Sequence, residues 1–560
     1  MQRKSVLEWR YHQRVIRLLL LSLLSLRMVS CASLPQRPSR PNIVLIVAED
    51  LSLRIGAYGD PVARTPRIDA MARESVRFTN AFTAAPVCAP SRAALITGVY
   101  AQAIGAQHMR TSRAFDEPGG GPSFSYLAVP PPEVKAFPEL LRRAGYFTAN
   151  HRKTDFQFGD PFTIWDVNDL EAKKSQLIWR VAPKGRPFFA MINPVITHES
   201  EIWPQKHRRV LTDPNAVTVP PYLADTPVTR IDIAQHYDNI AILDSQVGEV
   251  LDSLEADGLL DNTIVIFTTD HGDGLPHAKR RLYDAGLHVP LIVRFPDGRG
   301  AGSVRTDLVS FVDLGPTILG LAGVQPPAYM LGQPFLGPDP VPERRYVFAA
   351  ADRMDVSAGE WRSVRDARFE YLVNRMPGVP FFEHIAFRDR MPSMQELWHL
   401  HAEGKLTPLQ ESQFTAPRPP EELYDLIADP DQTVNLVSDP TYASDLTRLR
   451  AALAEFEAKT PDLSRESERA MAERMWPGLK QPTTESPVAT RVAEWDGDAI
   501  ALSSATAGAS IGYRLKDDPP DRWRPYVDPI PLPNGMALEA KAVRYGYAES
   551  AVVEIPASPE

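Results

Sequence analysis

Two short stretches of the chain are apolar at all but one end residue. Asn42 to Val47 reads Asn-Ile-Val-Leu-Ile-Val, and Ile264 to Thr268 reads Ile-Val-Ile-Phe-Thr. Unbroken runs rich in β-branched residues mark strands buried on both faces. Pro187 to Ile192, Val289 to Phe295 and Tyr346 to Ala350 are further strand candidates. Between them the period changes. Thr229 to Leu254 places Ile233, Tyr237, Ile240, Leu243, Val247, Val250 and Leu254 on one stripe, the mark of a long amphipathic helix. Pro66 to Ser75 predicts a helix with Thr65 as N-cap and Pro66 in its first position. Ser91 to Thr97 starts another that Gly98 stops, and Phe137 to Arg143 a third that Gly145 closes. Strands alternating with helices predict an α/β layered domain on a large, mostly parallel sheet, with ligands beyond the carboxyl ends of the strands. Glu49-Asp50 and Asp270-His271 stand at such ends.

The remainder divides by pattern. A chain of 560 residues exceeds one ordinary core, so two or three domains are expected. Residues 41–340 carry the alternating pattern. Residues 341–475 read as a smaller C-terminal α+β subdomain ending in a helix from Ser444 to Lys459. Gln481 to Pro487 reads as a linker. Beyond it, residues 490–560 contain strand-like runs at Ser510–Tyr513, Ala537–Tyr545 and Ala551–Ile555, and predict a separate small β-sandwich. The 53 prolines suggest long loops around a rigid scaffold.

Residues 1–31 form a different segment. Arg3, Lys4, Arg10, Arg14 and Arg17 precede or enter an apolar run from Val15 to Leu26, too short for a membrane span. The segment reads as a signal peptide. Met28-Val29-Ser30-Cys31 resembles a lipoprotein signal, which would tether the protein to a membrane through Cys31; ordinary cleavage and an uncleaved anchor are the alternatives. An exported protein, periplasmic or held at the outer membrane as a lipoprotein, is expected. The first 31 residues carry a net +5, so the overall −9 leaves the rest of the chain near −14. That charge argues against nucleic acid as a partner. An anionic substrate then needs a local basic pocket.

Cys31 and Cys88 are the two cysteines, so no disulfide is expected within the processed chain. A lone cysteine in an exported protein calls for a chemical role. Cys88 would sit at the N-terminus of the Ser91 helix, beside its dipole. The paired acids at two strand ends make sense if a cation joins them, and a pair of surface acidic turns is the alternative. Lys153, His198 and Lys279 are individually bland: a lysine is normally solvated and a histidine more often structural.

Context changes these odds. Ala85-Pro-Val-Cys-Ala-Pro-Ser-Arg-Ala-Ala-Leu-Ile-Thr-Gly98 resembles the signature of the formylglycine-dependent (type I) sulfatases of the alkaline-phosphatase-like superfamily. The likeness runs from about Pro41 to Thr460, Glu422-Leu-Tyr-Asp-Leu426 resembles that family's C-terminal segment, and the resemblance implies that superfamily's layered α/β domain with a large mixed sheet. Ile104–Arg110 and Thr269–Gly274 look most like bacterial relatives of heparan N-sulfatase, and Gly508–Tyr513 with Arg544–Tyr547 resembles a small sandwich appended to some chitobiases. The resemblance implies that a maturase oxidises Cys88 to formylglycine, whose hydrate attacks sulfur, with Arg92 holding that group. It implies that Lys153, His198 and Lys279 surround the sulfate. It implies that Glu49, Asp50, Asp270, His271 and Cys88 hold a divalent metal, with Ca²⁺ expected and Mn²⁺ the alternative because of the imidazole. Glu49 and His271 depart from the usual Asp and Asn. Asp155 stands where many sulfatases have a histidine; Asp155, His151 or His108 would take over as base. The implied reaction is hydrolysis of sulfate esters or N-sulfates, on a sulfated saccharide such as a glycosaminoglycan fragment. A phosphonate or phosphate ester hydrolase, and a surface carbohydrate-binding protein with a decayed site, are the competing readings. Asp352-Arg-Met-Asp355 either helps read the sugar or is a solvated turn.

Overall fold

The computed structural model describes residues 40–114, 122–171, 177–206, 208–337, 342–494, 497–531 and 536–557. The expected signal segment and Cys31 lie outside them. Among the described residues no helix is long and apolar enough to cross a membrane.

The first half alternates as its pattern predicts. Strands β1 (Asn42–Ala48), β2 (Val76–Phe82), β3 (Phe147–His151), β4 (Val167–Asp169), β5 (Phe188–Ile192), β6 (Thr263–Thr269), β7 (His288–Arg294) and β8 (Val304–Ser310) build one sheet in the order β4-β3-β5-β1-β6-β7-β2-β8. Neighbours are parallel except on both sides of β7, which runs against β6 and β2. The sheet is therefore mixed. Helices α1 (Pro66–Arg73), α2 (Cys88–Thr97), α3 (Phe137–Arg143), α4 (Pro227–Ala256) and α5 (Leu314–Leu321) cover its two faces. Strand β1 shows how. Val44, Ile46 and Ala48 join one core with the α4 stripe from Ile233 to Leu254. Ile43, Leu45 and Val47 point the other way and join a second core with residues of α2, α3 and α5. The period of two in a buried strand thus divides one apolar run between two layers.

One expected cap differs. Thr65 precedes α1, but its side chain makes no capping bond to the helix. Its hydroxyl accepts from the Gly56 amide at 2.9 Å and donates to Asp69 at 3.1 Å, tying the preceding loop to the helix.

Beyond the sheet, β9 (Val347–Ala351), β10 (Trp361–Arg365), β11 (Phe369–Asn374) and β12 (Glu421–Asp425) form an antiparallel sheet in the order β12-β11-β10-β9. Helix α6 (Pro392–Ala402) lies between β11 and β12, and α7 (Ala443–Lys459) packs Leu446, Leu449 and Leu453 against Val364, Phe369, Tyr371 and Leu423. A last helix, α8 (Glu468–Met475), precedes two small sheets. These contain β13 (Val488–Glu494), β14 (Gly497–Ser503), β15 (Ser510–Leu515), β16 (Arg524–Pro525), β17 (Ile530–Pro531), β18 (Leu538–Val543) and β19 (Val553–Ile555). Ile500 and Leu502 of one sheet meet Leu538, Ala540 and Ile555 of the other in a shared core. The two sheets are anchored to the rest of the protein by buried hydrogen bonds. Glu139 accepts from Ser510 at 2.6 Å and from Tyr545 at 2.8 Å.

Candidate active site

Four neighbouring parallel strands, β3, β5, β1 and β6, end on the same side. The residues just past those ends are Lys153 and Asp155, Asn193 and His198, Glu49 and Asp50, and Asp270 and His271. Parallel pairing makes this convergence unavoidable: Ala48 is level with Thr269, so the Asp50 amide meets Asp270 Oδ1 at 3.1 Å. Gly272 lets the chain turn away, since a Cβ there would lie 1.9 Å from the Ala285 carbonyl oxygen.

Helix α2 brings the cysteine to this edge. It begins at Cys88 itself, three residues earlier than the sequence pattern suggests, and all ten of its residues are buried. Pro90 fits the first turn, where helix amides lack partners anyway. The Ser91 hydroxyl is shared between the Asp270 carbonyl and Thr83, fixing the helix to the end of β6. The Arg92 guanidinium is fully enclosed and divided three ways: Nε to Asp270 at 3.0 Å, Nη1 to Asn193 at 2.7 Å and Nη2 to Glu49 at 3.3 Å.

Around Cys88 the charges alternate. Its Sγ lies 3.4 Å from His271 Nε2 and 4.0 Å from Asp50 Oδ1. Lys279 Nζ donates to both Asp50 oxygens, at 2.9 and 2.7 Å, and lies 3.1 Å from Glu199. Lys153 Nζ lies 2.6 Å from Glu49 and 3.6 Å from Asp155. Burial pushes the Cys88 thiol up, but Lys153, Lys279 and His271 outweigh burial and the Asp270 charge and bring it down to about 7. Burial likewise opposes ionisation of Asp50, yet Lys279, His198 and His271 hold its carboxyl well below the usual range.

His198 follows β5 and caps a short turn. Its Nδ1 accepts from the Ser200 amide at 3.2 Å, which leaves the ring proton on Nε2, the atom 3.9 Å from Glu49. Burial and Lys279 work against a charged ring, but Asp50, Cys88 and Glu49 raise its pKa overall.

The donor set fits a divalent cation. Ligand atoms of Asp50, Cys88, Asp270 and His271 lie within 4.8 Å of one another, as do those of Glu49, Asp50 and His198. His271 Nδ1 is 3.0 Å from the Gly272 carbonyl, turning Nε2 toward Asp50 at 3.0 Å. Burial disfavours its proton, yet Asp270 and Asp50 push the imidazole up to about 10. Positive charge at that point is strongly favoured, the electrostatic requirement for a metal site. Glu49 stands slightly apart from the other expected ligands: its Oε1 is engaged by Lys153 and Arg92.

The other expected bases divide. Asp155 is at the cluster, with a left-handed φ of 58° and its side chain one-third exposed. His108 faces elsewhere: its Nδ1 accepts the Arg353 amide, and burial, opposed by nearby Glu468, lowers it to about 4. His151 ends β3 on the side of Asp169 and is likewise lowered by burial. Asp352–Asp355 is no solvated turn; Asp352, Arg353 and Asp355 are all buried. Asn193, Glu199 and Arg280 were not anticipated. Arg280 donates to both Glu199 oxygens and to Asp355. Their signal was adjacency: Glu199 follows His198, and Arg280 follows Lys279.

A family model described as Sulfatase matches residues 41–324. The chain is 38% identical over 556 residues to an ulvan-active sulfatase of Formosa agariphila, covering 92% of this chain and 91% of that one. It is 29% identical over 476 residues to the human N-sulphoglucosamine sulphohydrolase, covering 75% and 90%. Among solved structures, one described in complex with its substrate D-glucosamine-2-N,6-O-disulfate shares the fold with a TM-score of 0.53 at 19% identity, over 75% of this chain and 98% of that one. The phosphonate monoester hydrolase of Agrobacterium radiobacter shares it with a TM-score of 0.52 at 18% identity, over 82% and 100%.

Proposed function

Because the chain belongs to the sulfatase family and is a sulfatase, hydrolysing sulfate esters or N-sulfate groups, we propose that Cys88, matured to formylglycine, is its nucleophile and a sulfated saccharide its substrate. The observation that carries this reading is the convergence on Cys88 of Lys153 and His198, from beyond the ends of β3 and β5, and of Lys279, from the loop that follows β6. Formylglycine supplies, as its hydrate, a hydroxyl nucleophile where an unmodified side chain has a thiol. A divalent cation held by Asp50, Asp270 and His271, with Glu49 at the margin, supplies acidification of that hydroxyl; Ca²⁺ suits the carboxylates and Mn²⁺ the imidazole.

The chain's own residues do the rest. Arg92, locked by three acceptors, fixes the first turn of α2 and the position of residue 88. Lys153 and Lys279 approach from different loops and neutralise sulfate oxygens as negative charge moves during bond cleavage. His198 carries its proton on Nε2 and delivers it to the departing oxygen or nitrogen. The Lys153 and His198 side chains keep about a fifth of their surface open, whereas Cys88 is nearly enclosed. Substrate therefore enters over Lys153, His198 and Asp155. A maturase and export from the cytoplasm, the course that the segment before Cys31 predicts, complete the proposal.

The test is the mass of the peptide containing Cys88, from protein made in a host with the maturase, alongside turnover of sulfated saccharides. A mass about 18 Da below the cysteine form, or the hydrate, with Cys88→Ser inactive, supports the reading. An alkylatable thiol in a fully active enzyme overturns it.

A further inference from the structure

Arg110 lies outside the groups assigned so far, and its setting is built. Its backbone takes a left-handed φ of 59°, which an arginine adopts only when its surroundings impose it. Those surroundings are visible. The Met109 amide donates to the Arg353 carbonyl at 2.9 Å, and Arg353 Nη1 returns a bond to the Met109 carbonyl at 2.8 Å. Arg353 is itself held by Glu468 at 2.7 Å. The side chain is equally fixed. Arg110 Nε donates to Asp355 Oδ1, while Arg280 takes the other Asp355 oxygen at 2.8 Å and continues through Glu199 to Lys279. A chain of ion pairs thus runs from Arg110 to the reaction centre. The guanidinium lies 4.7 Å over the Phe387 ring, and that ring stands 6.0 Å from the ring of His198. Trp203 backs Phe387 at 4.5 Å.

What this arrangement leaves open matters most. Among the described residues, no hydrogen bond is found to the two terminal nitrogens of Arg110, and a quarter of its side chain is exposed. One edge of the guanidinium is consumed in positioning, and the Phe387 ring beneath the group connects it to His198. A fixed, planar fork with an unused edge suits an oxyanion with two oxygens in one plane. The half-buried Phe387 beside it offers an apolar face for a ring.

We propose that Arg110, braced by Asp355 and laid on Phe387, is a specificity-determining residue that binds a second anionic group of the saccharide, a carboxylate or a further sulfate, next to the sulfate being removed. The inference rests on the reading of the site as one that desulfates saccharides.

Matched oligosaccharide pairs test it on the matured enzyme. One pair differs by a uronate carboxylate and its reduced alcohol, the other by a second sulfate, and kcat/KM is measured for removal of the same sulfate. The wild type is expected to prefer the anionic member of one pair by about tenfold or more, the scale of one charge-assisted contact. In Arg110→Ala that preference falls to near unity, and in Arg110→Lys it falls part of the way. Because preference is a ratio within each enzyme, general damage to the site cancels. Collapse in the uronate pair assigns a carboxylate; collapse in the disulfate pair assigns a sulfate. A wild type with no preference in either pair, or a preference that survives in both variants, overturns the proposal. No desulfation of any of these saccharides by formylglycine-bearing wild type overturns the saccharide reading first.

Discussion

Glu49 Oε1 lies 2.6 Å from Lys153 Nζ, so the acid that departs from the family's usual aspartate is paired with the lysine proposed to neutralise sulfate oxygens. Glu49 also reaches Arg92, and its other oxygen is 3.9 Å from His198. One carboxylate therefore organises three cationic groups while bordering the side chains that could hold a metal.

Shortening that side chain separates the two roles. Glu49→Asp keeps the charge but withdraws it by one methylene from Lys153. The expected outcome is a loss of roughly tenfold or more in kcat, with the metal concentration for half-activation changed by less than about threefold. A large loss of metal affinity with unchanged kcat at saturating metal would mean that Glu49 acts chiefly as a ligand.

The cation itself is tested by removal. Asp50, Asp270 and His271 lie close together and draw positive charge even onto an enclosed imidazole. Chelation is expected to lower both activity and Tm, and Ca²⁺ to restore both. A metal at a hundredfold over its Kd stabilises by about 2.7 kcal/mol. Restoration by Mn²⁺ and not by Ca²⁺ would show that the His271 nitrogen governs selectivity. Unchanged activity after exhaustive chelation would remove the metal from the reading.

Much of this site was legible because it is local or periodic. The apolar runs of β1 and β6 mark their own ends, and the residues past those ends are the ones that converge. The signature around Cys88 carries Ser91 and Arg92, whose partners follow from the same strand ends. What the sequence hid depends on which partner a side chain takes, near or far. Nothing near Thr65 announces that Gly56 and Asp69 would take its hydroxyl. His108 stands in the segment that resembles the family, yet Arg353, 245 positions later, determines its direction. The resemblance implied a mixed sheet, but that β7 is the reversed strand was hidden, since a strand buried on both faces reads the same in either direction.

The small sandwich is expected to be inseparable from the rest of the protein. Tyr545 is fully buried, stacks on Phe158 at 4.9 Å and donates to Glu139. Lys135 donates to the Gly508 carbonyl at 2.6 Å. Ending the chain after Pro487 strips these partners from an interior carboxylate and aromatic surface, so the truncated protein should aggregate or melt well below the full chain. Tyr545→Phe, which removes one donor to Glu139, should cost about 1–3 kcal/mol. A truncated protein with the parent Tm would show the sandwich to be a free appendage.

His277 gives the protein a built-in acid sensitivity. Its ring is buried and stacked on Tyr222 at 3.8 Å and Tyr283 at 4.8 Å. Gln413 donates through Nε2 to the Tyr222 carbonyl, so its Oε1, 2.7 Å from His277 Nδ1, accepts the ring N–H. Burial lowers this histidine to about 3, assisted by Arg418 and Arg281 and opposed by the Gln413 bond. The unfolded chain, with a histidine near 6.5, binds the proton more readily than the folded one. Stability from this group is therefore complete above about pH 6.5 and is lost as pH falls from there toward 3, by at most about 1.4 kcal/mol per pH unit. His277→Asn is the informative variant: asparagine tolerates the left-handed φ of 73° here and retains a donor for Gln413, but does not titrate. Denaturant unfolding between pH 7.5 and 4.5 should give a shallower loss of stability for His277→Asn than for the parent. Parallel slopes would mean that His277 is not the group whose protonation opposes folding.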